Sequence, residues 1–119
     1  RELRNLMFNN AIAIFGEYKD DELTDLVYLT LVRNNKYAFC ILDLCPMNNV
    51  DLIEFSISTV FAENPDIKKC KFTASRKLAE KGHKLLTSVG LNLEVCLRKF
   101  QRSDNDVLVF GRIIQQQSS

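Results

Sequence analysis

Residues 75–114, SRKLAEKGHKLLTSVGLNLEVCLRKFQRSDNDVLVFGRII, decide the fold. In the first half, Leu78, Leu85, Leu86 and Val89 recur at three- and four-residue spacing and the pattern stops at Gly90. That spacing predicts one amphipathic helix closed by a glycine. Leu91, Leu93, Val95 and Leu97 then alternate with Asn92, Glu94 and Arg98, which predicts a strand. After a polar turn from Gln101 to Asp106, the run Val107 to Ile114 returns as its partner. The return strand is apolar on both faces, and each face of such a strand needs cover. With only two long helices to share across a whole sheet, part of this hairpin is expected to be buried by another molecule. Val107, Val109 and Phe110 are the candidate interaction residues.

The chain has 119 residues, 46% hydrophobic and 26% charged, which suits one compact domain with one core. Arg1 is expected to fall inside a longer chain, with 1–9 a lead-in, 10–114 the core and 115–119 a polar tail. Sixteen Lys and Arg stand against fifteen Asp and Glu, so no chain-wide field steers the protein to nucleic acid or an anionic membrane. No apolar run reaches the roughly 18 residues of a spanning helix, and a soluble domain is expected. Cys40, Cys45, Cys70 and Cys96 lack CxxC spacing and sit in or beside apolar runs. They read as buried small hydrophobes in an intracellular, reducing compartment, cytoplasmic or nuclear. The lone histidine, His83, is far in sequence from every cysteine, so no metal site is expected. The alternative for His83 is a base for a cysteine nucleophile met in space.

From the start of the chain, Leu3, Leu6 and Met7 form one helical stripe, so 1–8 reads as a short helix or frayed lead-in. Ala11 to Tyr18 is a first strand, ended by the charged turn Lys19 to Glu22. Asp25 to Arg33 is apolar on both sides, as a central strand would be. Asn34 and Asn35 tolerate the positive φ of a tight turn into a third strand, Lys36 to Leu44. Pro46 ends it. Asn48, Asn49 and Asp51 offer caps, with Asp51 and Glu54 at capping-box spacing, for a helix over about 50–63. Lys69 to Thr73 follows as a short strand, parallel to the third if the two are neighbours. The fold class is α/β (α+β), a mixed, mainly antiparallel sheet in the order β-β-β-α-β-α-β-β. Lys68, Lys69 and Lys71 are the basic cluster to weigh for nucleic acid, and they read as a solvated face because no aromatic platform is interleaved with them.

This order resembles that of the GNAT acetyltransferase superfamily over about residues 10–114. Ser88 to Gly90 followed by Leu91 to Arg98 resembles the family's helix, glycine and strand passage, and Asp106 to Arg112 resembles its closing strand. The resemblance implies an acetyl-CoA site at a glycine-rich turn after the third strand, where backbone N–H groups at a helix start hold a pyrophosphate. The corresponding link here is Cys45, Pro46, Met47, Asn48, Asn49, Val50, Asp51, without glycine, lysine or arginine. Asp51 also sets a carboxylate where phosphate charge would sit, against a helix-dipole attraction of about 0.3–1 kcal/mol. The family's usual acid is a tyrosine four residues before the helix-closing glycine, and that position is Leu86. Asp43, the acidic residue inside the third strand, is the candidate base, with a solvent-facing or turn-capping role as its alternative.

Asp51 to Phe55 and Leu85 to Val95 are also similar to passages of the ornithine decarboxylase antizymes, protein-binding inhibitors built on the same scaffold without its cofactor site. The expected function is therefore a catalytically silent acetyltransferase-like domain, without cofactor, that binds another protein or a second copy of itself. An active N-acetyltransferase using acetyl-CoA through an atypical loop, and an antizyme-like inhibitor, are the alternatives. In the silent case Leu42, Leu44, Met47 or Phe72 should plug the space of a pantetheine arm.

Overall fold

The computed structural model describes residues 1–97 and 106–114. They form strands β1 (Glu2–Phe8), β2 (Ile12–Lys19), β3 (Glu22–Arg33) and β4 (Ala38–Leu44), helix α1 (Val50–Glu63), strand β5 (Lys69–Ser75), helices α2 (Arg76–Lys81) and α3 (His83–Ser88), and strands β6 (Asn92–Leu97) and β7 (Val107–Ile113). The strands make one sheet in the order β1-β2-β3-β4-β5-β7-β6. Among the described residues its one parallel pair is β4 with β5, as the β-α-β reading expected. The turn expected over Gln101 to Asp106 and the tail 115–119 lie outside the described residues, apart from Asp106.

Residues 2–8 are a strand, not a helix or a frayed end. A register shift between Asn5 and Met7 breaks the period-two alternation, and Asn5 Nδ2 bridges it by donating to the Met7 and Ile14 carbonyls, each at 3.3 Å. The bulge hides the strand from a periodicity reading and leaves a pattern that imitates a helical stripe. The tight turn with positive φ also falls elsewhere than expected. Asp20 and Asp21, at φ 51° and 66°, make the β2–β3 turn, whereas Asn34 and Asn35 keep negative φ. Asn34 instead accepts from the Lys36 and Tyr37 N–H groups at 2.9 and 3.0 Å, a side-chain turn that leaves the backbone unstrained.

The helix expected over 75–89 is interrupted at Gly82, between α2 and α3. Ser75 caps the first piece by accepting from the Leu78 N–H. Gly90 closes the second at φ +75°, as the sequence implied. At α1 the cap is Asn49, whose Oδ1 accepts the Leu52 N–H at 3.1 Å. The expected capping pair does not form, because Glu54 is drawn off to Arg112 on β7 at 2.5 and 3.0 Å.

The core lies on one face of the sheet. Ala13, Phe15, Val27, Leu29, Leu31, Cys40 and Leu42 from β2–β4, and Cys70, Phe72, Ala74, Leu108 and Phe110 from β5 and β7, are buried there with Ile53, Ile57, Val60 and Leu86 of the helices. Phe15 meets Phe55 of α1 edge to face at 5.7 Å. The side chains that alternate with these in the strands point the other way. They include Ile14, Tyr28, Val32, Phe39, Ile41, Val107 and Val109, all half-buried, and no described element covers them. β7 is an inner strand, paired to β5 on one edge and to β6 on the other. The helices cover only its Leu108 and Phe110 face.

Candidate functional site

β4 and β5 pair through Cys40 with Cys70 and Ile41 with Lys71, and no further. Beyond those pairs Leu42–Leu44 and Phe72–Ser75 separate, opening a gap at the carboxyl ends of two parallel strands, where α/β sheets take their ligands. Three of the four side chains expected to plug that gap are wholly or partly buried. Leu42 is 2% exposed and Phe72 6% exposed. Met47, on the link after β4, reaches the break between α2 and α3. A Cβ added to Gly82 would stand 2.1 Å from the Met47 methyl carbon. Leu44 does not take part: it is 51% exposed, outside the plug.

The link from Pro46 to Asp51 is occupied too. The Asn49 N–H donates to the Pro46 carbonyl at 3.1 Å, and Asn49 Nδ2 donates to Asp25 at 2.7 Å. Its Oδ1 takes both the Leu52 N–H and Arg1 Nη2, the latter at 3.2 Å. Arg1 also donates to Glu17 at 2.7 Å and pairs with Asp51. The mouth of α1 is thus a cavity of about 540 Å³ whose lining includes Glu17, Asp25 and Asp51 against Arg1 and Lys19. Three carboxylates stand against two cations there, and the Asn49 and Leu52 N–H groups already have partners. The hydrogen bond from Arg1 holds the Glu17 carboxyl below its ordinary range, so it carries its charge at neutral pH.

Leu86, at the position of the expected acid, is 1% exposed within the core and offers no proton. Asp43 is exposed on the face away from the helices, where the Thr30 hydroxyl donates to it. The structure therefore brings together Met47, Asn49 and Asp51 at the cleft and sets Asp43 apart on the opposite side of the sheet. Asn48 is exposed beside Asn49, and Pro46 is half-buried. Val107 and Val109 are half-buried on the open face, whereas Phe110 is 5% exposed in the core, so the three candidate interaction residues do not share a surface.

The cysteines are all free, and Cys40 and Cys70 are buried as expected. Cys45 is half-buried, its thiol pushed up to about 12 by desolvation. Cys96 is exposed, against expectation, because β6 is an edge strand. His83 is exposed and makes no side-chain hydrogen bond to a cysteine, and among the described residues no group of metal-ligating side chains gathers. Two groups escaped the sequence reading. Arg1 seals the start of α1, and the pair Tyr37 and Phe39 stands beside Lys69 and Lys71. Sequence separations of about 50 and 30 residues hid both.

No family model matches the chain, and no curated protein matches it. Solved structures do match. A GNAT-family acetyltransferase of Streptococcus pneumoniae superposes with a TM-score of 0.69 at 14% identity, over 90% of this chain and 69% of that one. An acetyltransferase of Salmonella typhimurium that modifies the N-terminal serine of a ribosomal subunit protein gives 0.62 at 16%, over 88% of this chain and 65% of that one. A spermidine N-acetyltransferase variant of Vibrio cholerae gives 0.62 at 16%, over 88% and 67%. The fold is that of the GNAT acetyltransferases. The chain spans about two thirds of the length of each of these proteins. Among the described residues no helix is long and apolar enough to cross a membrane.

Proposed function

We propose that this is a catalytically silent acetyltransferase-like domain that works as a protein–protein interaction module in a reducing intracellular compartment. The observation that carries the reading is the packing at both ends of the cleft. Met47, on the link after β4 and seated on Gly82, stands at the end of the opening that a cofactor arm would enter, and Asn49 and Arg1 occupy the phosphate end. A cofactor would have to displace a packed thioether and break a hydrogen-bonded ion pair before making any contact of its own. Leu86, at the position of the expected acid, has no proton to give a leaving thiolate.

Isothermal titration calorimetry with acetyl-CoA should give no saturable heat at sub-millimolar ligand, and the Met47→Ala variant should behave the same way because the phosphate end stays closed. A dissociation constant in the low micromolar range would return the protein to the active N-acetyltransferase reading, with Asp43 as its base. The antizyme-like inhibitor is a special case of the interaction module, and a partner's loss of activity on binding would distinguish it.

A further inference from the structure

The sheet is open along the outer edge of β6. Among the described residues β6 pairs with β7 alone, so the backbone N–H and C=O groups on its other side have no strand beside them. The strand is exposed throughout, with Leu93, Val95 and Leu97 at 55%, 46% and 36%. Its register shift falls between Leu93 and Val95, and from there the ladder is regular. Val95 and Leu97 stand opposite Val109 and Val107, on the face away from the helices, and Cys96 stands opposite Leu108, on the helix side. The Arg76 guanidinium lies 3.5 Å from the Cys96 thiol, and its charge is answered by Asp106 at 2.6 Å. Glu94, the one charged residue of the strand, is answered by Lys69 at 2.7 Å. The edge therefore offers unpaired backbone, two apolar side chains on one face and a free thiol on the other.

We infer that two copies of this chain pair along β6, antiparallel, about a two-fold axis through Cys96, joining their sheets into one. The inference rests on the interaction-module reading and commits its partner to a second copy. An unpaired backbone edge takes a strand, because a strand answers its N–H and C=O groups in register. A two-fold contact also needs a patch complementary to itself, and β6 is one. An axis normal to the sheet keeps each face on its own side, so residues set opposite each other must share a face. Through Cys96, the axis sets Val95 of each copy against Leu97 of the other on the open face, and the two thiols against each other on the helix side. No like charges meet at these pairs. Through Val95, it would set Cys96 against Glu94, whose carboxylate folds over Gly111 on the opposite face. So few pairs bury less than the roughly 1,200–2,000 Å² of a stable interface, and the dimer forms at protein concentrations on the order of 0.1–1 mM.

The test is sedimentation equilibrium of the whole chain up to about 1 mM with reductant present. The wild type should pass from monomer to dimer and no further. Val95→Lys sets a lysine against Leu97 at both ends of the contact and should weaken the dimer at least about tenfold. Met7→Lys on β1, the other edge of the sheet, and Ile113→Lys on the open face of β7 replace side chains 48% and 63% exposed and should leave it unchanged. Circular dichroism should show all three variants folded. A second measurement replaces the reductant with oxidised glutathione. Opposed Cys96 residues, with Cα atoms about 4.5–5.5 Å apart across an antiparallel pair, fall within disulfide reach. One molecule of oxidised glutathione then yields one Cys96–Cys96 bond and two of reduced glutathione, which take up the two thiol protons. Peptide mapping should find that bond in the wild type, and Val95→Lys should slow its formation at least about tenfold. A wild type monomeric throughout, growth beyond a dimer, loss of the dimer in Met7→Lys or Ile113→Lys, or a cross-link that forms as fast in Val95→Lys would each overturn the inference. A monomeric wild type that also takes no acetyl-CoA removes this pairing and leaves the silent-domain reading standing, whereas tight acetyl-CoA binding removes that reading itself.

Discussion

At the scale of single residues, the cysteines separate cleanly by reactivity. Cys96 is exposed on an edge strand within 3.5 Å of Arg76, while the Cys45 thiol is held protonated by burial up to about 12. Only the thiolate attacks a disulfide reagent. With a chromogenic disulfide at pH 8, the native protein should release about one equivalent quickly, and Cys96→Ser should abolish that phase. Cys45, Cys40 and Cys70 should react only on unfolding. A fast phase that survives in Cys96→Ser would contradict the placement of Cys45.

Glu17 makes a second prediction at this scale. Arg1 holds its folded value below the ordinary one, so its stabilisation is fully present at neutral pH and is lost as the pH falls through that lowered value. Glu17→Gln cannot lose a charge and should flatten that acid limb. Thermal unfolding followed between pH 7 and pH 3 should show the variant's melting temperature falling less steeply than the wild type's. Equal slopes would mean that Arg1 and Glu17 are not paired in solution.

At the scale of elements, two substitutions one residue apart in β7 test which face is core. Phe110 is packed against the helices and 5% exposed, so Phe110→Lys buries an unpaired charge and should cost more than about 4 kcal/mol. Val109 is half-buried on the open face, so Val109→Lys should cost about 1 kcal/mol and keep the fold. Urea unfolding of the two variants would decide. The glycines that punctuate the helical stretch should also differ. Gly90 sits at φ +75° with the Arg112 side chain against it, and Gly90→Ala should cost about 1–2 kcal/mol. Gly82→Ala keeps an ordinary φ of −98° and has only the Met47 methyl to push aside beside the Leu78 carbonyl, so its cost should be the smaller of the two, under about 1 kcal/mol. Equal costs for both glycines would show that the break at Gly82 is as demanding as the cap at Gly90.

At the scale of the whole molecule, the sheet has a GNAT-like fold in which β4 and β5 pair over two residues only, with Met47 against Gly82 at one end of the opening and Arg1 paired to Glu17 and Asp51 at the other. The helices cover one face of the sheet, and the described residues leave the other to solvent. The likeness to solved structures is a likeness of fold, because an activity resides in a site and not in a scaffold.

Local rules determined much of this. Periodicity and punctuation placed β2 to β5, α1, the stop at Gly90 and the closing hairpin, because each rests on contacts between residues close in the chain. The missing glycines of the Pro46 to Asp51 link and the leucine at position 86 could likewise be read without coordinates, since they are statements of residue type. What the sequence could not settle is whatever depends on distant neighbours. The bulge in β1 is fixed by its pairing with β2, Glu54 leaves its cap for an arginine 58 residues away, and Met47 finds Gly82 across the gap. The two faces of β7 became distinguishable only when Leu108 and Phe110 packed into the core with the helices. Alternation tells which side chains share a face, but only the tertiary structure decides which face the helices cover.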